Sequence, residues 1–520
     1  MSRRPFHGLR RNAPRQRYDA VVVGAGIGGL VTANLLAREG LAVLLVERHY
    51  MVGGYCSTFR RAGFTFDAAT HFYPLLGNAE TISGRLVREL GVETRWVKMD
   101  PVDTFHFPDG SRFEVPADYD DYRRRLDGEF PAERERLERF FAEVHEAYML
   151  GLLAYFRGRE TERLERFRGL SVRDALDRHF SDEKLKLLLT ADCPHWGSAP
   201  RRTSFVFDSM LRLSYFLGNF YPVGGSQAFA DELARCFEER GGDILMSTHV
   251  QRIEVEAGRV CGVLMETLRG PAAGTKRVAT ATVVSNADLV ETVEELVGEE
   301  RLGADYVSRV RRLRPSFPCF LSHVGLEAVA SGVLERAQGY YWRHWDPDRV
   351  GRDGLICKIF SPTLYEPAMA PEGRQIVILQ KVLEIDYEAV DDWAVHKAEI
   401  ERLATAQLER AIPGVGERIV FQTSATALTG WRFTRNHRGA MLGWEMAPDQ
   451  LGGARPGIET PVGGLYMVGH WVRPGGGITP VIVSACWVAE AVTGRRLLLS
   501  GGGLSAPLGL RSRVVREGAG

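Results

Sequence analysis

Residues 18–54 constrain this chain more than any other stretch, because they set out a strand, a glycine turn, a helix and a second strand in order. Residues 20–23 are a short apolar run rich in β-branched side chains, too brief for a helix, and read as a buried parallel strand. Gly24, Gly26 and Gly29 follow at the spacing of a dinucleotide-binding turn. In such a turn the first glycine permits the tight bend, the second lets the backbone approach a pyrophosphate, and the third lets the helix pack on the strand. Residues 30–39 place apolar side chains at helical spacing, and Gly40 stands where that helix should stop. Its free N–H groups and dipole face the turn and favour a phosphate. A second strand over 42–46 ends at Glu47, about twenty residues past the glycines, where a ribose-binding carboxylate belongs.

Glu47 is followed by Arg48 and then by a second glycine pair, Gly53-Gly54. That pair matches the extended fingerprint of flavoproteins that bind two dinucleotides, so the stretch resembles an FAD site more than a plain NAD site. Residues 464–494 supply a counterpart. Residues 465–468 read as a short buried strand ending at Gly469, Gly475-Gly476-Gly477 makes a close approach, and a helix starts near Thr479-Pro480. The positive end of that helix suits a flavin ring, whose reduced form carries negative charge.

Between these ends the chain is too long, at 520 residues, for one simple core. Lys+Arg and Asp+Glu are balanced at 66 each, which gives no reason to expect a nucleic-acid partner. The cysteines are scattered without a CxxC pair, which suits free thiols in a reducing compartment and gives no support to a metal site. The first 17 residues are rich in Arg, carry no acid and have no apolar core behind them, so they read as a disordered leader or a weak lipid-binding tail, not a secretory signal. No apolar run is long enough to span a bilayer, which points to a cytoplasmic protein with peripheral membrane contact left open.

The middle of the chain reads as follows. Residues 63–67 alternate as a strand, and 102–115 form a hairpin around Pro108-Asp109-Gly110. Residues 119–167 are a charged helical region with a solvated face, and 171–190 a second one with Ser171 and Ser181 as caps. Residues 205–221 are aromatic and apolar, and suit core packing, the wall of an apolar tunnel, or a surface that dips into a bilayer. A helix over 226–240, a strand pair over 244–256 and 260–267, and a strand over 282–285 come next. Further strands at 356–360 and 375–380 and a helix over 393–411 complete this part.

Together the N-terminal fingerprint with Gly53-Gly54, GFTFDAATHF, YPVGGSQAFADELARCFEERGG, VVSNAD and LYMVGHWVRPGGG resemble the phytoene desaturase and carotenoid isomerase family, which includes retinol saturase-like enzymes. The resemblance implies an α/β fold: a discontinuous Rossmann-type FAD-binding domain with a mixed α+β substrate domain. On that scheme 18–118, 221–300 and 456–499 build the FAD domain, 119–220 the helical part of the substrate domain, and 301–455 its sheet. Residues 1–17 and 500–520 are a leader and a flexible tail. By the same resemblance Gly24, Gly26 and Gly29 hold the pyrophosphate, Glu47 the ribose, Gly53 and Gly54 run along the FAD, and Val250 meets the adenine through its backbone. Arg48 joins the cofactor-binding set, Gly469 lies near the pyrophosphate, and Gly477 and Ile478 lie beside the flavin. The chain departs from the family pattern at His470, where relatives commonly carry a small or acidic residue.

An apolar polyene or isoprenoid needs little acid–base equipment, because the flavin carries the hydride chemistry. His71 and His470 are the candidate catalytic groups, with His195 behind them. The absence of a second dinucleotide fingerprint points to oxygen or a quinone as electron acceptor. Three readings stay open from the residues: a carotenoid desaturase, an isomerase or saturase using reduced FAD, and a non-catalytic FAD-bound escort for a prenyl lipid. An amine oxidase would share the fold, and fold alone does not separate these.

Overall fold

The computed structural model describes residues 15–157, 161–269 and 273–497, so the leader up to residue 14 and the tail from 498 lie outside the described residues. Strand β1 (Ala20–Val23) is wholly buried, helix α1 (Ile27–Arg38) follows, and β2 (Val43–Val46) returns parallel to β1 with Ala20 opposite Val43. Gly40, at φ +88°, turns the chain out of α1 as expected. Helices α2 (Arg134–Arg157) and α3 (Phe205–Phe216) pack on each other, and α4 (Ser226–Glu239) leads into β3 (Asp243–Leu245). Then come β4 (Thr248–Glu256), β5 (Val283–Ser285), β6 (Cys319–Glu327), β7 (Arg374–Val382), β8 (Leu465–Met467) and α5 (Ile478–Thr493).

One sheet runs β3-β2-β1-β5-β8, every neighbouring pair parallel, so three distant segments of chain build a single Rossmann-type layer. Helices α1, α4 and α5 cover one face, where Leu30, Leu36, Phe229, Leu233, Ile482 and Val488 share a core. A second sheet of seven strands includes β6 and β7, its two longest, which pair antiparallel from Cys319–Val382 to Glu327–Arg374. The α/β class with a second α+β region is what the sequence implied.

Several local expectations change. The hairpin over 102–115 forms, but its strands Asp103–His106 and Arg112–Val115 add to the edge of the seven-stranded sheet beside Gly339–Trp342. The boundary placed at 118 is therefore crossed, because Phe105, Phe113 and Val115 find their apolar partners with Tyr340 and Trp342 and not in the Rossmann layer. The helical region 119–167 is three helices, with a break at Phe130 where Pro131 opens a short 3₁₀ turn. Its charged face is solvated as expected, with Glu135, Glu138 and Arg139 exposed, while Leu137, Phe140, Phe141 and Val144 on the other side of α2 are buried. Asp182, not Ser181, caps the helix over Glu183–Leu188, while Ser171 forms a capping box with Asp174. The strand expected over 244–256 divides at Ser247, whose φ of +50° redirects the chain from the parallel sheet into a separate antiparallel one.

Candidate active site

A cavity of about 800 Å³ lies between the Rossmann layer, the second sheet and the helices α2 and α3. Its Rossmann wall begins at the turn after β1. Gly24 there has φ +93°, open to glycine and strained for other residues. A side chain on Gly29 would stand 2.0 Å from the Gly24 carbonyl oxygen, so the closest approach of α1 to its strand is made at that glycine. Gly29 does not itself line the cavity; Gly24, Gly26 and Gly28 do. Gly26 is bridged to Gly53, which draws the second glycine pair against the first.

The residues fit a dinucleotide in four ways. The N-terminus of α1 has no side-chain cap and no acid in its first turn, which leaves its N–H groups and positive end for a phosphate. The N-terminus of α5, at Gly477 and Ile478, is uncapped in the same way and lines the same cavity. Glu47 is fixed by two backbone donors, Ala25 N at 2.7 Å and His49 N at 2.7 Å, one on each oxygen, so each oxygen keeps a lone pair for a ribose hydroxyl. Burial raises its carboxyl above the ordinary range, against the pull of those two N–H groups. Finally, Thr248 N donates to Glu47 O, and the two-residue period of a strand puts the Val250 N–H on that same free edge of β4, facing the cavity.

Arg48 lines the cavity too, and its guanidinium donates to the Arg432 carbonyl at 2.9 Å, fastening the loop after β2 to the helix Ala427–Thr434. Gly54 and Gly469 complete the set drawn to this wall, with Gly469 N held by Ser484 Oγ at 3.1 Å. Asn286, of the VVSNAD motif, directly follows β5. Its side chain lodges among the glycines, within 3.0 Å of where side chains on Gly26, Gly28 and Gly469 would begin, and its amide reaches Gly24 O at 3.5 Å. The signal for it was its place just after a strand that pairs with β1, which only the register makes visible.

His71 and His470 both line the cavity. The Nε2 of His470 meets Asn436 Oδ1 at 3.1 Å, which Trp471 Nε1 also reaches at 3.3 Å. Burial, with the Arg455 charge nearby, drives its pKa down to about 3, so the ring is neutral. His71 stacks on Phe360 with centroids 4.7 Å apart and bonds Ala69 O through Nδ1 at 2.9 Å. Burial first and the charge of Lys358 second drive it to about 3 as well. His195, given least weight in the sequence, stands with its ring centroid 6.1 Å from that of His71 and also lines the cavity.

The side of the cavity furnished by α2, α3 and their neighbours is largely apolar, with Phe72, Tyr148, Leu152, Phe207, Met210 and Leu211 beside Ser214 and His195. The aromatic stretch 205–221 contributes to this wall and to the core, where Phe205 and Leu213 of the same helix lie. All seven cysteines are free thiols, two of which, Cys56 and Cys319, reach the cavity wall. No helix among the described residues is long and apolar enough to cross a membrane.

Comparison with known proteins gives the same picture. The model of the flavin containing amine oxidoreductase family matches residues 27–493. Prolycopene isomerase 1 of an Oncidium hybrid cultivar is 26% identical over 510 residues, spanning 92% of this chain and 84% of its own length. A lycopene-forming phytoene desaturase of Pseudescherichia vulneris is 26% identical over 490 residues, spanning 89% of this chain and 97% of its own. Among solved structures, an oxidoreductase from Methanosarcina mazei superposes with a TM-score of 0.65 at 19% identity, over 91% of this chain and 99% of its own. With a family match across most of its length and two uncapped helix ends facing one glycine-walled cavity, this chain belongs to the flavin-containing amine oxidoreductases and is an FAD-dependent oxidoreductase.

Proposed function

We propose that the enzyme acts on a long apolar polyene of the carotenoid type, which it desaturates or isomerises. The observation that carries this reading is the wall formed by Tyr148, Leu152, Phe207, Met210 and Leu211, an uncharged surface continuous with the cofactor cavity. A polyene gains from burial along such a wall at roughly 25 cal/mol per Å². A charged amine would lose its hydration there, since no carboxylate of α2 or α3 is among the residues that line the cavity. The carotenoid desaturase and isomerase named above support the same substrate class.

In this reading Gly24, Gly26 and Gly28 with the N-terminus of α1 receive the pyrophosphate, and Glu47 takes the ribose. Val250 presents its N–H to the adenine, while Gly469, Gly477 and Ile478 border the flavin. Arg48 and Gly54 hold the loop that closes over the cofactor. Bound FAD supplies a two-electron acceptor and donor for hydride. His71 and His470 stay neutral, fix the ring-side wall through Ala69 and Asn436, and leave the polyene undisturbed by charge. Oxygen or a quinone reoxidises the cofactor. The exposed Met149 and Leu153 on α2, beside the cavity-lining Tyr148 and Leu152, would touch the membrane that stores the substrate.

The test is incubation of the FAD-loaded protein with phytoene and with prolycopene in liposomes, with and without a quinone. A desaturase gives products of lower mass and red-shifted absorption. An isomerase gives unchanged mass with an altered cis/trans pattern. Flavin-replete protein that converts neither polyene would reject the proposal.

A further inference from the structure

Among the described residues three buried imidazole nitrogens at the cavity wall have no partner, Nε2 of His49, Nε2 of His71 and Nδ1 of His195, and the last two belong to neighbouring rings. Leaving such a group unmet is costly, so a pair of them in one place calls for an explanation. Their hydrogen-bonding senses follow from their other contacts. His71 Nδ1 faces the Ala69 carbonyl, which can only accept, so Nδ1 carries the proton and Nε2 is a bare acceptor. His195 is set the other way. Lys358 Nζ, whose charge is met by Asp103 at 2.9 Å, donates to Tyr340 Oη at 3.1 Å. Tyr340 in turn donates to His195 Nε2 at 2.5 Å, and Lys358 reaches the same nitrogen at 3.2 Å. Nε2 of His195 therefore accepts, and its Nδ1 bears the hydrogen. Burial and the nearby Lys358 charge keep both rings neutral, which preserves one acceptor and one donor.

We infer that His71 and His195 together form a binding site for a single hydroxyl group, so that this cavity prefers an isoprenoid or polyene alcohol to the hydrocarbon of the same chain. A hydroxyl is the group that donates once and accepts once. Two hydrogen bonds of about 2.8 Å meeting at one oxygen span roughly 4.6 Å between nitrogens. Rings whose centroids lie 6.1 Å apart can offer that span. A carbonyl would satisfy His195 and leave His71 unmet. A carboxylate would face the bare Nε2, and an ammonium would face the Nδ1–H and Lys358. Phe72, whose ring centroid is 4.1 Å from that of His195, lines the same cavity and supplies an apolar flank for the carbon chain, while Phe360 stacks on His71 from the core.

This rests on the reading of an apolar isoprenoid substrate, and the experiment separates the two. Geranylgeraniol and the hydrocarbon with hydrogen in place of its hydroxyl are titrated into the FAD-loaded protein, following the flavin spectrum and tryptophan fluorescence. The expected result is at least about 10-fold tighter binding of the alcohol, the worth of two neutral hydrogen bonds. The preference should fall towards unity in His71→Phe and in His195→Phe, and survive in part in His195→Gln, which keeps a donor; flavin content reports folding in each. Equal binding of alcohol and hydrocarbon to the wild type would mean that the pair holds water only, and overturns the inference while leaving the polyene reading intact. A preference that persists in both phenylalanine variants also overturns it. Binding of neither ligand overturns both.

Discussion

Replacing Gly29 by Ala pits two effects of opposite sign against each other at one position. Gly29 lies inside α1, where alanine is favoured over glycine by roughly 1 kcal/mol of helix propensity. Its new Cβ would, however, stand 2.0 Å from the carbonyl oxygen of Gly24, a backbone atom that no rotamer change can move. Relieving that contact demands a displacement of α1 from β1 of about 1 Å, and overpacking of this kind costs about 1–3 kcal/mol or more. The clash should win, with a net loss of about 1–2 kcal/mol. Since the same displacement carries the N–H groups of Gly26 and Gly28 out of line, FAD retention should fall more steeply than stability. The measurement is flavin absorbance per protein after gel filtration, with urea unfolding alongside. Gly128→Ala is the control: that glycine is exposed in the helix Tyr119–Glu129, with nothing within 4 Å of the new atom, and the change should stabilise by about 0.5–1 kcal/mol without touching flavin content. A Gly29→Ala protein with full flavin and an unshifted urea midpoint would refute the packing argument.

Three other outcomes follow from the geometry. His470 is held neutral with its pKa lowered to about 3, chiefly by burial, so the unfolded chain binds a proton below pH 6.5 that the native chain does not. Its contribution is complete above pH 6.5 and is lost as pH falls towards 3; between pH 6.5 and 5 that is about 2 kcal/mol, and urea unfolding of His470→Gln should lack this part of the acid sensitivity. Arg212 pairs with the equally buried Asp208 at 3.0 Å, so Arg212→Ala should destabilise by about 3–5 kcal/mol, and adding Asp208→Ala should recover part of it; a loss under about 1 kcal/mol for the single variant contradicts the reading. Met210→Asp puts a charge on the apolar wall, and should abolish polyene conversion while flavin content stays at the wild-type level; unchanged turnover would show that the substrate does not pass this helix.

Much of the cofactor half was legible because its information is contiguous. The strand, the turn and α1 occupy the single run 20–38, and hydrophobic periodicity, a positive-φ glycine and an uncapped helix start are local properties. The helix Trp393–Ala411 was read to its ends for the same reason. The substrate half was less so. Charge along 119–167 marks the solvated face, but not which core receives Phe140 and Phe141 on the other face. The hairpin Asp103–His106 and Arg112–Val115 was correct as a hairpin and misplaced as a domain, because nothing in its own residues says which sheet edge it will extend.

What the sequence determined by itself is the dinucleotide turn, the acid that closes it at Glu47 and the order of elements around them, all set by neighbours within a few turns of chain. Only the tertiary structure brought Asn286 into the glycine turn, joined β8 to β5, and set His195 beside His71 with opposite tautomers. Those tautomers depend on the Ala69 carbonyl for one ring and on Tyr340 and Lys358 for the other. The hydrogen-bonding sense of a histidine is fixed by whatever the fold places against it, and for His195 those partners lie more than a hundred residues away, beyond the reach of any local pattern.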